Sequence, residues 1–165
     1  MQNVVLIGMS GCGKTTLGKL LSRETDRLFI DTDEQIRLMG YNIKTVFAQQ
    51  GEAYFREIEY AACQQAVLHR ECVIATGGGV VTQPRTMKVL SENSFVVYIK
   101  RDIEKIIMSA NHQSRPLFTS NEAVRQLFAA RQSLYEEYAN FVLENNESPQ
   151  AALKGLSAIL RARGL

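Results

Sequence analysis

Short apolar runs recur along the chain and alternate with segments whose apolar residues fall at helical spacing. The runs are Val4–Ile7, Leu28–Asp31, Val73–Ala75, Phe95–Ile99 and a weaker Phe141–Leu143. Each has the length of one strand, and an unbroken apolar run is typical of a strand buried on both faces. Strands that alternate with helices indicate a parallel sheet covered by helices. The pattern therefore predicts an α/β fold.

The segments between the runs carry apolar stripes with a period of three to four residues, which predicts amphipathic helices. These stripes are Leu17, Leu20 and Leu21; Phe55, Ile58, Ala62 and Ala66; Val124, Leu127, Phe128, Leu134, Tyr135 and Tyr138; and Leu153, Leu156, Ile159 and Leu160. In parallel sheets of this kind, ligands bind beyond the carboxyl ends of the strands. Polar motifs that follow the strands are therefore expected to converge on one site.

Composition narrows the class of protein. A chain of 165 residues with 45% hydrophobic and 22% charged residues is typical of one globular domain, residues 1–165. The net charge of +2, without a dense basic tract, gives no indication of nucleic-acid binding. No apolar run approaches the ~20 residues of a membrane span, and the first residues lack the basic region of a signal peptide. We expect a cytoplasmic monomer without nucleic-acid or membrane partners.

The three cysteines, Cys12, Cys63 and Cys72, are odd in number and are not spaced as metal ligands. Only His69 and His112 add imidazole groups, so a zinc site is not expected. Free thiols are consistent with a reducing compartment.

The segment Gly8–Thr16 fits the phosphate-loop pattern Gly-x4-Gly-Lys-Ser/Thr in full, between an apolar strand and a helix. In this setting backbone N–H groups and the helix N-terminus face the same anion. Lys14 is placed to reach the terminal phosphates, and the Thr15 hydroxyl to bind Mg²⁺. The motif predicts binding of a nucleoside triphosphate. The predicted contacts are Gly11, Cys12, Gly13, Lys14, Thr15 and Thr16.

Two carboxylates follow the second predicted strand, Asp31 and Asp33. Beside a triphosphate, one could bind a metal-bound water while the other faces an acceptor hydroxyl. Asp is also a preferred N-cap residue, and a helical segment follows directly. From spacing alone, capping and chemistry are equally good explanations.

Two arginines lie on predicted helices. Arg56 has Glu52 four residues before it and Glu59 three residues after it, a spacing that also produces ordinary surface ion pairs. Arg131 falls on an apolar stripe, where a guanidinium is costly unless it is paired. Glu59 or the carboxylate of a ligand could be the partner of Arg131, and the sequence does not decide between them.

Two loops complete the candidate site. Gly77–Gly79 lies between a buried strand and Val80, which suggests close approach of the backbone to a ligand rather than a flexible linker. Residues 111–120 lack an apolar period, and a polar loop of this length is either disordered or a functional lid. Within it, Arg115 is a candidate for binding phosphates and offsetting transition-state charge.

Taken in order, these motifs resemble the shikimate kinases, small P-loop enzymes related to the nucleoside-monophosphate kinases. The motifs are the phosphate loop, Asp31 with Asp33, Phe55-Arg56 with Glu59, Gly77–Gly79, Arg115-Pro116-Leu117, and Arg131 with Leu134-Tyr135. The resemblance implies a three-layer P-loop fold with a five-stranded parallel sheet in the order 2-3-1-4-5. It also implies a substrate-binding segment at about 32–60 and a mobile lid at about 110–122.

The resemblance further implies transfer of the ATP γ-phosphoryl group to the 3-hydroxyl of shikimate, with Mg²⁺, in aromatic amino-acid biosynthesis. On the acceptor side, Asp33 would be the base, Arg56 and Arg131 would bind the substrate carboxylate, and Gly78 and Gly79 would approach the substrate through their backbone. Glu59 would orient Arg56, and Phe47 and Phe55 would line the pocket.

On the nucleotide side, the resemblance implies that Lys14 and Arg115 stabilise the phosphoryl group, that Thr15 binds Mg²⁺ and that Asp31 supports the metal through water. The family usually places an Arg against the adenine where this chain has Ser109, and the segment from there to Arg115 is about one residue shorter. Pro149 could supply the other side of the adenine slot. Two alternatives remain: another small-metabolite kinase of the gluconate type, and a nucleotide-binding switch without turnover.

Overall fold

The apolar runs form the strands of one sheet in the computed structural model, which describes residues 2–109 and 116–165. The strands are β1 (Asn3–Ile7), β2 (Leu28–Asp31), β3 (Cys72–Ala75), β4 (Ser94–Lys100) and β5 (Phe141–Glu144). All of their pairings are parallel, and the order is β2-β3-β1-β4-β5. The predicted α/β class and strand order are confirmed.

Helices alternate with these strands along the chain. They are α1 (Lys14–Thr25), α2 (Thr32–Leu38), α3 (Ile43–Leu68), α4 (Pro84–Ser91), α5 (Ile103–Met108), α6 (Asn121–Tyr138) and α7 (Pro149–Ala162). A short 3₁₀ turn at Val80–Thr82 links β3 to α4. The turn and α4 were not among the predicted elements, although Pro84 at the first position of α4 is a recognised helix-start signal.

The sheet is the middle layer of three. Leu6 pairs in register with Val97, and a Cβ built on Gly18 of α1 would lie 3.4 Å from the Leu6 side chain, which places α1 on the face of the sheet to which Leu6 points. Tyr98 points to the opposite face because side chains alternate along a strand, and there its ring stacks on Tyr135 of α6. Strand β1, at the centre, is buried throughout. Because helices cover both faces, a ligand site is expected at the carboxyl ends of the strands.

Helix α3 contains a break. Gly51 has φ 81° and ψ 175°, which is outside helical geometry, so the helix bends between Ile43–Gln50 and Glu52–Leu68. The predicted apolar stripe of Phe55, Ile58, Ala62 and Ala66 lies in the part of the helix after the break. Phe55, Ile58 and Ala62 are buried beyond the break in a small cluster separate from the main core. The break thus creates a second apolar centre beside the carboxyl edge of the sheet.

The predicted lid at 110–122 is covered only in part, because residues 110–115, including Arg115, lie outside the described residues. Pro116 and Leu117 form a turn, and α6 begins at Asn121. None of the described helices is long and apolar enough to cross a membrane. All three cysteines are free thiols and are buried.

For two glycines inside helices, we expect substitution by alanine to change the free energy of unfolding in opposite directions. A Cβ on Gly18 of α1 would collide with the Phe29 ring, whereas a Cβ on Gly155 of α7 would meet only Leu143, at an ordinary 3.4 Å. We expect Gly18→Ala to lower the free energy of unfolding by about 1–3 kcal/mol, because the core is overpacked. Gly155→Ala should raise it by up to ~1 kcal/mol through helix propensity. Denaturant unfolding of both variants measures this, and equal effects would contradict the packing argument.

Candidate active site at the carboxyl edge of the sheet

The phosphate loop connects β1 to α1 in the predicted way, and α1 begins at Lys14. Gly13 caps the helix with φ 105°, a left-handed conformation that favours glycine. Lys14 is buried, and its ammonium donates hydrogen bonds to the carbonyls of Gly8 at 2.7 Å and Met9 at 2.8 Å. The loop therefore keeps its cation inside the turn.

The other predicted phosphate contacts occupy the same turn and the start of α1. Cys12 is buried, Gly11 is partly exposed, and Thr15 and Thr16 are exposed at the mouth of the loop. The sequence reasoning missed Asn145, whose side chain donates to the Cys12 carbonyl at 2.8 Å. Asn145 is buried and directly follows β5, and its amide nitrogen occupies the space that a Cβ on Gly13 would need. The position of Asn145 directly after a predicted strand is the feature of the sequence that could have identified it as a site residue.

Asp31 and Asp33, the two carboxylates after β2, differ in whether they cap the following helix. One oxygen of Asp31 caps α2 by accepting hydrogen bonds from the backbone N–H groups of Asp33 and Glu34. The other accepts a hydrogen bond from the Thr15 hydroxyl at 2.8 Å. Because Asp31 alone caps the helix, the Asp33 side chain is available for another role.

Asp33 lies at the start of α2 and faces the interior of the site. Burial raises the pKa of this carboxyl above its usual range, and the charge of Asp31 adds to the shift, while Lys14 opposes it. A carboxylate with a raised pKa is a better proton acceptor than an exposed one, as a general base requires.

Thr15 and Asp31 together fit a magnesium site. A hydroxyl and a carboxylate are hard oxygen ligands, and both groups lie at the exposed mouth of the phosphate loop. Mg²⁺ usually takes one or two protein oxygens and completes its shell with water and substrate phosphates. Within the parts of the chain that the structure describes, no group of three or more His, Cys, Asp or Glu side chains forms a metal cage. Magnesium does not require one.

Arg56 belongs to a buried ion pair rather than a surface one. Its guanidinium contacts Glu59 at 2.7 Å and Glu52 at 2.6 Å, and Arg56 and Glu59 are 4% and 1% exposed. The pair of Arg56 with Glu59 is therefore not an ordinary surface pair, because this face of α3 packs against Gly77 and Gly79 after β3. Burial tends to lower the pKa of Arg56, but the charges and hydrogen bonds of Glu59 and Glu52 raise it overall. Arg56 stays charged inside the protein.

The three glycines after β3 each leave room for a different part of the site. A Cβ on Gly77 would lie 2.5 Å from a Glu59 oxygen, and one on Gly78 would lie 2.7 Å from the Ser10 hydroxyl. A Cβ on Gly79 would overlap the Arg56 guanidinium. The triplet is thus a point of close approach, as predicted, and not a linker.

Arg131 of α6 is 6% exposed and lies near this group of residues. Its charge acts on Glu59 and on the Tyr135 hydroxyl. Across residues 2–109 and 116–165, no ion pair of Arg131 is present, and the carboxylate of Glu59 binds Arg56 instead. Of the two partners considered for Arg131, Glu59 has one oxygen on Arg56, and its other oxygen has no hydrogen-bond partner among the described residues.

One cavity of about 620 Å³ joins these groups. Its wall includes Ser10 of the phosphate loop, Asp33, Arg56, Arg131 and the glycine triplet. The rings of Phe47 and Phe55, 4.6 Å apart, form an apolar part of the wall. The structure thus brings the acceptor-side residues named from the sequence around one space, next to the phosphate loop.

The residues assigned to the adenine side lie apart from this cavity. Pro149 is the first residue of α7 and is exposed. Ser109 ends α5, and its hydroxyl donates to the Lys105 carbonyl at 2.9 Å. The side chain of Ser109 is therefore used within its own helix. The neighbouring Met108 is 86% exposed.

Comparisons with known proteins agree with this geometry. A family model described as shikimate kinase matches residues 10–160. A shikimate kinase of Clostridium botulinum is 35% identical over 158 residues, which cover 95% of this chain and 96% of that protein.

Solved structures give the same result. A shikimate kinase from Acinetobacter baumannii, in complex with shikimate, superposes with a TM-score of 0.91 and 32% identity, over 98% of this chain and 94% of that one. A shikimate kinase from Aquifex aeolicus has a TM-score of 0.86 and 28% identity, over 99% and 98% of the two chains. The resemblance of the motifs is thus confirmed over the whole length. The chain belongs to the shikimate kinase family of ATP-dependent enzymes.

Proposed function

We propose that this protein transfers the γ-phosphoryl group of ATP to the 3-hydroxyl of shikimate, giving shikimate 3-phosphate. The observation that carries the proposal is the cavity beside the phosphate loop, whose wall is shared by two buried arginines, Arg56 and Arg131, and by Asp33. An acceptor that bears both a carboxylate and hydroxyl groups matches this arrangement of charges.

In this proposal Arg56 and Arg131 bind the carboxylate of the acceptor. Arginine is suited to this task because its planar guanidinium donates two parallel hydrogen bonds to a carboxylate. Arg56 is kept in place by Glu52 and Glu59, so little orientation entropy remains to be lost on binding. Gly78 and Gly79, which line the same cavity, would present their backbone to the acceptor.

Asp33 is proposed to orient the acceptor hydroxyl and to take its proton. Phosphoryl transfer depends mainly on positioning and charge stabilisation, so the base also serves as an orienting group. The backbone N–H groups of Gly11–Thr16 surround the phosphates, and Lys14 exchanges its carbonyl partners for phosphate oxygens when the nucleotide enters. Arg115 is proposed to bind the phosphates and to stabilise the phosphoryl group during transfer.

Thr15 would bind Mg²⁺ directly and Asp31 through water. The ion, when bound, supplies positive charge that offsets the charge of the phosphate oxygens. The 2.8 Å hydrogen bond between the two side chains keeps both oxygens at one place before any ligand arrives.

The two alternatives require different acceptors or none. Gluconate, like shikimate, bears a carboxylate, so two buried arginines suit either acid; a neutral polyol would leave them without a partner, which is costly. A nucleotide-binding switch would need neither the acceptor cavity nor Asp33. Family membership and the acceptor cavity favour shikimate.

A coupled ADP-release assay with ATP and Mg²⁺ tests the proposal directly. We expect shikimate to have the highest kcat/KM in a panel that also contains quinate and gluconate. A higher kcat/KM for either of the others would overturn the assignment, and nucleotide binding without turnover would favour the switch.

Asp33→Asn removes the proposed base while it preserves the shape of the side chain. We expect kcat to fall by roughly 10²–10⁴-fold, the range for a positioned base, with the lower end favoured because positioning dominates phosphoryl transfer. Steady-state kinetics with shikimate measures this, and thermal unfolding of the same variant serves as the folding control. Normal kcat in a folded variant would show that Asp33 is not the base.

Arg131→Ala removes one of the two proposed carboxylate ligands. We expect shikimate binding to weaken by about 1.5–3 kcal/mol, the value of a hydrogen bond to a charged group, while KM for ATP stays unchanged. The matched control is Arg125→Ala in the same helix, because the ion pair of Arg125 with Glu104 lies on the surface. A loss of thermal stability without a change in shikimate KM would mean that Arg131 only stabilises the fold.

A further inference from the structure

Tyr135 connects two walls of the acceptor cavity through a single hydroxyl group. The residue is fully buried in α6, and its hydroxyl donates a hydrogen bond to the Gly78 carbonyl at 2.5 Å. The charge of Arg131, one turn earlier in the helix, acts on the same oxygen. The hydroxyl therefore binds the backbone of the glycine triplet beside the Arg131 guanidinium.

The bond to Gly78 also determines where the next backbone donor points. In a planar trans peptide the C=O of one residue and the N–H of the next point in opposite directions. Because the Gly78 carbonyl points at Tyr135, the Gly79 N–H points away from α6. No acceptor for this N–H is present in the described part of the chain. Gly79 lines the cavity, so the N–H is a free donor for a ligand.

The Tyr135 ring is fixed independently of this hydrogen bond. It stacks on Tyr98 of β4 with centroids 5.0 Å apart and planes at 22°. Tyr98 is itself 1% exposed and belongs to the central sheet. The hydroxyl therefore occupies a constant place relative to the sheet, and it also aligns Gly78, which packs against Ser10 of the phosphate loop.

We propose that Tyr135 is a positioning residue for the acceptor: its hydroxyl orients the Arg131 guanidinium and the Gly78–Gly79 peptide toward the carboxylate-bearing substrate. This inference rests on the proposed function, because it assumes that Arg131 and Gly79 contact shikimate. Tyr135 does not touch the acceptor or the nucleotide. Its effect is on the geometry of the groups that do.

The test compares Tyr135→Phe with Tyr98→Phe, two substitutions that each remove one hydroxyl from the same stacked ring pair. Because a hydrogen bond that orients two ligand contacts is lost, we expect Tyr135→Phe to raise KM for shikimate by roughly tenfold. KM for ATP should change by less than twofold, and Tyr98→Phe should leave both values unchanged. A merely structural role would disturb both substrates or neither.

A double-mutant cycle separates the hydrogen bond of the Tyr135 hydroxyl to Gly78 from its effect on Arg131. In an Arg131→Ala background the effect of Tyr135→Phe on shikimate KM should shrink but persist, because the peptide contact remains. An undiminished effect would remove Arg131 from the proposal. An unchanged shikimate KM in folded Tyr135→Phe, or equal changes for both substrates, would overturn it.

Folding of the variants is checked by thermal unfolding. If Tyr135→Phe does not fold, 4-methylphenylalanine at position 135 fills the volume of the hydroxyl without a donor and takes its place in the assay. If neither folds while Tyr98→Phe does, the hydroxyl is a structural group and the proposal fails. If the wild-type protein does not phosphorylate shikimate, the proposed function fails first, and the comparison is then made with the acid that it does use.

Discussion

The buried ion pair between Arg56 and Glu59 is the interaction on which the acceptor side of the site depends. Burying a guanidinium is costly unless its charge is compensated, and Glu59 and Glu52 compensate the charge of Arg56. The pair then restricts its surroundings. Gly79 has no room for a side chain because of the guanidinium, and Gly77 has none because of Glu59. One electrostatic requirement thus accounts for two of the three glycines.

The nucleotide side follows a different principle. Its charges are at the mouth of the phosphate loop, where Thr15 and Asp31 share a hydrogen bond and solvent can complete the shell of a magnesium ion. Only Lys14 is buried there, and backbone carbonyls rather than carboxylates are its partners. Neutral dipoles form a cradle that the ammonium can leave when phosphate oxygens become available. A carboxylate partner would compete with the phosphates.

The nucleotide side and the acceptor side meet where Gly78 packs against Ser10, so the glycine triplet lies directly on the phosphate loop. On the acceptor side, buried groups are oriented by other buried groups, as Tyr135 is by Tyr98 and Arg56 by Glu59. Such preorganisation lowers the reorganisation needed when charge develops during phosphoryl transfer. It also predicts that substitutions distant from the reacting atoms will separate into effects on acceptor binding and effects on nucleotide binding.

By itself the sequence determined the strands, most of the helices and the phosphate loop, because these follow from local signals. Apolar runs, helical periods and the spacing around Lys14 are each contained within a few residues. Spacing could not decide which of Asp31 and Asp33 caps the helix, because Asp is a preferred cap at either position. The answer depended on the contacts of Asp31 with Thr15 and with the start of α2.

Only the tertiary structure showed which charged side chains are buried and with which residues they form ion pairs. An Arg and a Glu three residues apart look alike on a surface helix and in a core, and only the packing of α3 made this pair a buried one. Arg131 remained unassigned for the same reason, since Glu59 could pair with either arginine until their positions were fixed. The links from Tyr135 to Gly78 and from Asn145 to Cys12 join residues 57 and 133 positions apart. Contacts at such separations depend on how whole elements pack, which no local pattern records.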